Sequence, residues 1–251
     1  MAPKLKARAD QLAFEQGLAE SREKAKSLIM AGRIIHASGP LQSQPVAKPG
    51  MLCPQGSLFS LLPGEQYVSR GAGKLATILD AAKLDVSGLV CLDAGASTGG
   101  FTDLLLQRGA KKVYAVDVGK NQLHEKLRAD PRVISMEGVN IRHAPPELIP
   151  EKIDFLTGDL SFISLTLVLP PCAAWLAPKA LAAILIKPQF ELSQAELSKG
   201  VVRKEESRQK AIAKVRGFCE KELGWTLLMQ VPSAIRGPKG NQEYLALFRT
   251  A

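Results

Sequence analysis

The spacing of apolar and polar positions divides the chain into two stretches of different rhythm. Over residues 8–40, "RADQLAFEQGLAESREKAKSLIMAGRIIHASGP", apolar positions recur at helical spacing on either side of Gly17 and then close into a short strand. Ser21 is placed to cap the second helix, Ala25, Leu28 and Ile29 form its apolar face, and Gly32 stops it. Residues 41–66 are rich in Pro, Gly, Gln and Ser, which predicts a short hairpin and then a linker ending near Gly64-Glu65-Gln66. The shift in composition puts a boundary near 63, giving domains 1–62 and 63–251. From residue 67 onward, short continuous apolar runs alternate with helical patterns. "GLVCLDAGAS", "KKVYAVDVG", "RVISMEGVN", "IDFLTGDLS" and "LAAILIKPQF" read as strands, and "GGFTDLLLQRGA" and "ESRQKAIAKVRGFCEKELGW" as helices. "TLLMQVPSAI" and "EYLALFRT" read as a terminal antiparallel pair. That alternation predicts a doubly wound, mostly parallel α/β sheet with an antiparallel last strand, preceded by a small α+β domain.

Composition adds a partner class to this picture. The 251 residues carry a formal net charge of +9, which suits a polyanion such as nucleic acid or an anionic membrane surface. Cys53, Cys91, Cys172 and Cys219 are widely spaced, which predicts reduced cytoplasmic thiols rather than a disulfide framework or a metal site. The first residues, "MAPKLKAR", lack the apolar core of a signal peptide. Leu160–Pro178 is free of charge over 19 residues, within the range of a membrane span. Pro170-Pro171 at its centre would break such a helix, so a loop followed by a buried helix is expected, with no stable membrane association.

Candidate chemistry gathers at strand ends, where ligands of doubly wound sheets bind. "LDAGASTGGF" follows the first strand of the sheet and matches neither the Gly-x-Gly-x-x-Gly fingerprint nor a Walker loop. It offers a carboxylate at Asp93, a tight turn at Gly95, close backbone approach at Gly99-Gly100, and Ser97, Thr98 and Phe101 beside them. Asp117 ends the next strand, where this topology holds a ribose diol, and Glu137 and Asn140 follow the third strand, at an adenine edge. The set suits S-adenosylmethionine; a nicotinamide dinucleotide is disfavoured by the missing third glycine. Asp159 ends the fourth strand and Lys187 the fifth, both expected to neighbour the first strand and face the cofactor.

A lysine directly after the apolar run "AAILI" has a clear use if the acceptor is an alcohol. Methyl transfer then needs alignment and removal of a proton, and a lysine removes it when its amine is neutral, a state that burial and a second cation favour. Amine methylation commonly uses an Asn/Asp-Pro-Pro-aromatic motif, whereas this chain has Asp-Leu-Ser-Phe. Cys172 lies past the strand end and reads as a core thiol rather than the nucleophile of carbon methylation.

"YVSRGAGKL", "DAGASTGGFTDLLLQRGAKKVYAVDVG", "GDLSFISL", "IKPQFE" and "GPKGNQEY" closely resemble the TlyA family, described both as haemolysins and as ribosomal RNA 2′-O-ribose methyltransferases. Its catalytic half is similar to the FtsJ/RrmJ class and its Lys-Asp-Lys-Glu tetrad. The resemblance implies Lys74, Asp159, Lys187 and Glu243 as that tetrad, with Lys187 as proton acceptor, Lys74 lowering its pKa and holding substrate, and the carboxylates orienting both amines, while the sequence alone reads Lys74 as a loop lysine. It also implies a cytidine target in ribosomal RNA or a ribosomal subunit; the cysteine usage and N-terminus predict a cytoplasmic location, and a monomer is expected. "GLAESREKAKSLIMAGRI" resembles the RNA-binding domain named after ribosomal protein S-four. Arg8, Arg22, Lys24, Lys26 and Arg33 are its candidate RNA contacts, joined by Arg70. Gly119-Lys120-Asn121-Gln122-Leu123 and "MEGVN" depart from the family pattern around the cofactor pocket, and His36-Ala37-Ser38-Gly39 departs from the usual Val-Asn-Gly. The competing readings are a pore-forming haemolysin and a non-catalytic RNA-binding protein.

Overall fold

A computed structural model describes residues 6–30, 32–62 and 67–251, and the chain separates into two compact units, 1–66 and 67–251. The boundary expected at 63 lies outside the described residues.

The first unit contains β1 (Lys6–Arg8), α1 (Ala9–Glu15), α2 (Arg22–Met30), β2 (Ile34–His36), β3 (Leu52–Pro54) and β4 (Phe59–Leu61). Ala9, Leu12, Ala25, Ile29, Ile34 and Phe59 bury against one another as its core. Ser21 Oγ accepts from the Lys24 N–H at 3.1 Å, capping α2 as the sequence predicts. Among the described residues of 41–66 the expected hairpin is not formed: β3 pairs with β1 and β4 with β2, both antiparallel. A partner so distant in sequence leaves no local signal, and Arg8, read as the start of a helix, ends β1 instead.

The second unit begins with α3 (Ala72–Ala81), β5 (Val90–Ala94), α4 (Gly100–Gln107), β6 (Lys112–Asp117), α5 (Glu125–Arg128) and β7 (Val133–Glu137). It continues with β8 (Ile153–Gly158), α6 (Leu169–Ala173), β9 (Leu176–Ile186), α7 (Pro188–Glu191), α8 (Glu205–Glu222), β10 (Thr226–Pro232) and β11 (Tyr244–Arg249). Seven strands form one sheet in the order β10-β11-β9-β8-β5-β6-β7, parallel except for β11, which runs antiparallel to both its neighbours. Only β8 of the two chemistry-bearing strands pairs with β5; β9 lies one strand further out, which corrects the expected adjacency.

The apolar runs are continuous because the central strands are buried on both faces. Ala182, Ile184 and Ile186 pack with Cys172, Ile212 and Val215 of α6 and α8 on one face. Ala183 and Leu185 pack with Leu75, Ile78 and Leu104 of α3 and α4 on the other. Phe155 and Phe248 are fully buried, each contributing about 2–3 kcal/mol of apolar transfer. In the uncharged stretch, Pro170-Pro171 occupy the first turn of α6, where a missing N–H costs nothing, so they open a short helix rather than break a long one. Among the described residues no helix is long and apolar enough to cross a membrane.

Candidate active site

Strand ends and register bring the four candidate catalytic side chains together. Asp159 follows β8 and Lys187 follows β9, on adjacent parallel strands. The antiparallel pairing of Tyr244 with Ile186 sets Glu243, just before β11, beside Lys187 at the same edge of the sheet. Lys74 comes from the first turn of α3 and is 8% exposed, a buried helical residue rather than the solvated loop lysine the sequence suggests.

Lys74 Nζ lies 3.2 Å from Asp159 Oδ2 and 2.8 Å from Glu243 Oε2. Lys187 Nζ lies 2.5 Å from Asp159 Oδ1 and 2.7 Å from Ser161 Oγ. Asp159 therefore bridges the two amines, and fully buried Glu243 sits behind Lys74. Gln189 donates from Nε2 to Glu243 Oε1 at 3.4 Å. Burial is the largest single influence on Lys74 and pulls its pKa down. Asp159 and Glu243 together outweigh burial and hold it above the ordinary lysine value. Lys74 is thus a fixed cation whose charge two carboxylates share.

These side chains line a cleft of 1020 Å³ together with Gly95, Ser97, Thr98, Gly100, Phe101 and Arg70. The turn needs its glycines. Gly95 has φ +83° and a Cβ there would stand 3.0 Å from the Asp159 carbonyl oxygen; Gly99 has φ +96° and its Cβ would stand 2.2 Å from Leu127 Cδ1.

Five expected cofactor residues stand outside the cleft wall: Asp93, Gly99, Asp117, Glu137 and Asn140. Asp93 is fully buried beneath the turn, and its Oδ2 accepts from Thr102 N at 3.0 Å and Thr102 Oγ1 at 2.7 Å, bracing β5 to α4. Burial is the main force pushing its carboxyl up to about 7. Asp117 accepts from the N–H groups of Ser97 at 2.8 Å and Gly119 at 2.7 Å, one on each oxygen. Glu137 accepts from Leu123 N and Gln122 N, and these two bonds hold its carboxyl below the usual range. Asn140 accepts from Arg142 N at the start of a short 3-10 turn.

The expected RNA contacts divide. Arg8 and Arg22 both reach the fully buried Asp10, at 2.8 and 3.4 Å, so they brace the first unit while their outer surfaces stay exposed. Lys26 pairs with Glu23, Lys24 is exposed, and Arg33 donates to the Leu62 carbonyl at 2.7 Å. Asp10 carries no sequence signal, since a single acid early in a helix reads as a solvated residue.

Sequence reasoning also misses Ser161, Phe162, Gln189, Arg142, Arg236 and Lys239 on the cleft wall. Ser161 and Phe162 stand in "GDLSF" and Gln189 in "IKPQF", so proximity to Asp159 and Lys187 is the available signal. Phe162 has φ +64° and is 90% exposed, with its ring 5.1 Å from that of Phe190. Cys172 is fully buried, and burial pushes its thiol up to about 12, so it is no nucleophile.

Comparison with known proteins identifies the family. The family model described as FtsJ-like methyltransferase matches residues 67–250. The 16S/23S rRNA (cytidine-2′-O)-methyltransferase TlyA of Mycobacterium tuberculosis is 40% identical over 248 residues, covering 98% of this chain and 90% of that protein. Hemolysin A of Brachyspira hyodysenteriae is 38% identical over 247 residues, covering 96% and 99%. A solved structure of a Streptococcus thermophilus protein described as a hemolysin superposes with a TM-score of 0.74 at 41% identity, covering 99% of this chain and 90% of that one. Through residues 67–250 the chain belongs to the FtsJ-like methyltransferase family, and over nearly its whole length it is a relative of the TlyA proteins.

Proposed function

We propose that this chain transfers a methyl group from S-adenosylmethionine to a ribose 2′-hydroxyl of ribosomal RNA, with cytidine as the target nucleoside. The buried Lys74–Asp159–Lys187–Glu243 network opening on the cleft carries the reading. The residues present fit the cofactor. The Gly95–Phe101 backbone runs along the cleft into the N-terminus of α4, which favours a carboxylate. Asp117, outside the cleft wall but bonded to the turn at Ser97, accepts one backbone N–H on each oxygen and keeps lone-pair capacity for a diol. Bound there, S-adenosylmethionine supplies an activated methyl on a sulfonium.

Lys187 removes the proton. A neutral amine has two N–H bonds and one lone pair; Asp159 Oδ1 and Ser161 Oγ take the two N–H bonds, leaving the lone pair for the ribose hydroxyl. With the cofactor supplying the methyl group, Lys187 would accept the proton that the ribose hydroxyl gives up on transfer. Lys74 fixes the far oxygen of Asp159, and Glu243 and Gln189 hold Lys74 in place. Phe162, exposed beside this point, offers a stacking surface for an unpaired base. The first unit serves as an RNA-binding domain through Arg8, Arg22, Lys24, Lys26 and Arg33. The cleft is lined by residues of a single chain, which supports a monomer, and the four free cysteines support a cytoplasmic setting.

The test is to map 2′-O-methylated riboses in ribosomal RNA treated with purified protein and cofactor. Lys187→Ala is expected to lower the rate by about 10²- to 10⁴-fold while cofactor binding by calorimetry persists. Undiminished methylation by that variant refutes the assigned role, and failure of the unmutated chain to methylate refutes the function.

A further inference from the structure

We infer that the loop from Ser233 to Glu243 is a phosphate clamp, with Arg236 and Lys239 gripping the RNA backbone next to the ribose in the cleft. The inference rests on the RNA methyltransferase reading and adds to it the surface that seats the strand.

Unspent charge is the first observation. Many of the chain's cations are committed to internal carboxylates: Arg8 and Arg22 to Asp10, Lys26 to Glu23, and Lys74 to Asp159 and Glu243. Arg208 and Lys210 of α8 are committed likewise, to Glu205 and Glu196. Arg236 and Lys239 are exposed on the cleft wall and take part in no ion pair among the described residues. Two unneutralised cations on one cleft wall repel each other, and an RNA phosphate seated there would relieve that repulsion.

Rigidity is the second. The Ser233 N–H donates to the Glu243 carbonyl at 2.9 Å, closing the base of the loop. Nearer the tip, Gly237 N donates to the Asn241 carbonyl at 2.9 Å and Gly240 N to the Gly237 carbonyl at 3.1 Å. Asn241, 3% exposed, ties the loop to a second turn: its Oδ1 accepts from Val202 N at 3.0 Å and its Nδ2 donates to the Gly200 carbonyl at 3.0 Å. Lys239 holds a left-handed φ of 59°, and its amine lies over Gly200, where a Cβ would come within 3.3 Å of Nζ. The cations are therefore presented by a stapled backbone, so less freedom is lost on binding than a floppy lysine tail would lose.

Position is the third. The same loop ends at Glu243 and so anchors Lys74. A phosphate seated on Arg236 and Lys239 is held by the loop that completes the catalytic network, which couples strand docking to the acceptor's alignment.

The test uses the full chain and total ribosomal RNA, with binding measured by filter retention from about 50 to 200 mM salt. The Arg236→Ala/Lys239→Ala double variant is expected to bind about tenfold more weakly. The slope of log affinity against log salt should become shallower by about 0.7–0.9 for each phosphate that the variant no longer neutralises. Arg236→Lys should retain most of the affinity, and melting temperature and S-adenosylmethionine affinity by calorimetry should match the unmutated chain. Unchanged RNA affinity and slope overturn the clamp. Loss of cofactor affinity instead overturns it by assigning these cations to the cofactor's carboxylate. If the unmutated chain retains no RNA, the functional reading fails and the clamp with it; retention with an unaltered slope in the double variant sinks the clamp alone.

Discussion

At the scale of single residues, the site balances two buried lysines against a fully buried Glu243 and a partly exposed Asp159. Removing one partner of a buried ion pair leaves its opposite uncompensated. Lys74→Met strands the fully buried Glu243, and it should lower unfolding free energy by about 3–5 kcal/mol in denaturant titration. Lys74→Met/Glu243→Gln should regain much of that stability without regaining methylation, which separates the structural role of the pair from its chemical one. Asp93 makes a different prediction. Its folded carboxyl is raised to about 7 from an ordinary 3.8, so the folded state binds the extra proton across that interval. Its contribution is fully present below about pH 4 and is lost as pH rises through about 7. Asp93→Asn, which keeps an acceptor for Thr102, should show a flatter melting temperature between those limits and a higher one than the unmutated chain at about pH 8. The sequence puts Asp93 at the cofactor because a strand-end acid before a glycine turn usually faces the ligand. Its burial beneath α4 depends on Thr102, in the first turn of that helix, which no local pattern announces.

Among the elements, the turn from β5 into α4 carries the sharpest constraint. Gly99→Ala forces a left-handed residue against Leu127, and should cost about 1–3 kcal/mol in stability and weaken cofactor binding in calorimetry. Gly95→Ala should act similarly, by pressing on the Asp159 carbonyl. By contrast Ser21→Ala, which removes only the α2 cap, should cost about 1 kcal/mol and leave cofactor binding unaltered. Elements with strong periodicity are legible in the sequence, including α8, the parallel strands and the terminal pair. β1 and the pairing of β3 and β4 are not, because three-residue strands carry no period and their partners lie far along the chain.

For the molecule as a whole, the formal net charge of +9 sets the expectation that binding to ribosomal RNA weakens steeply with salt. Where that charge is available matters more than its total. In the first unit Arg8 and Arg22 share a buried carboxylate, so charge-neutral replacement there should destabilise the unit as well as weaken RNA binding; melting and filter retention read the two effects separately. The haemolysin label carried by relatives has its own measure: dye release from liposomes by purified protein without cofactor would favour it, and the methyltransferase reading expects none.

Periodicity determined the α/β alternation, and the end of an apolar run at Lys187 determined that a polar group would stand where ligands bind, because period and length are local properties. The resemblance of "GAGKL" and "GNQEY" then named Lys74 and Glu243, without their surroundings. Only the tertiary structure decided that β9 lies outside β8, that β11 returns antiparallel to carry Glu243 to Lys74, and that Lys74 is buried in a helix. It alone decided that Ser161 and Gln189 complete the network and that Arg236 and Lys239 form no ion pair among the described residues. Pairing between side chains distant in sequence depends on strand order and register, and those are settled by the packing of both sheet faces at once.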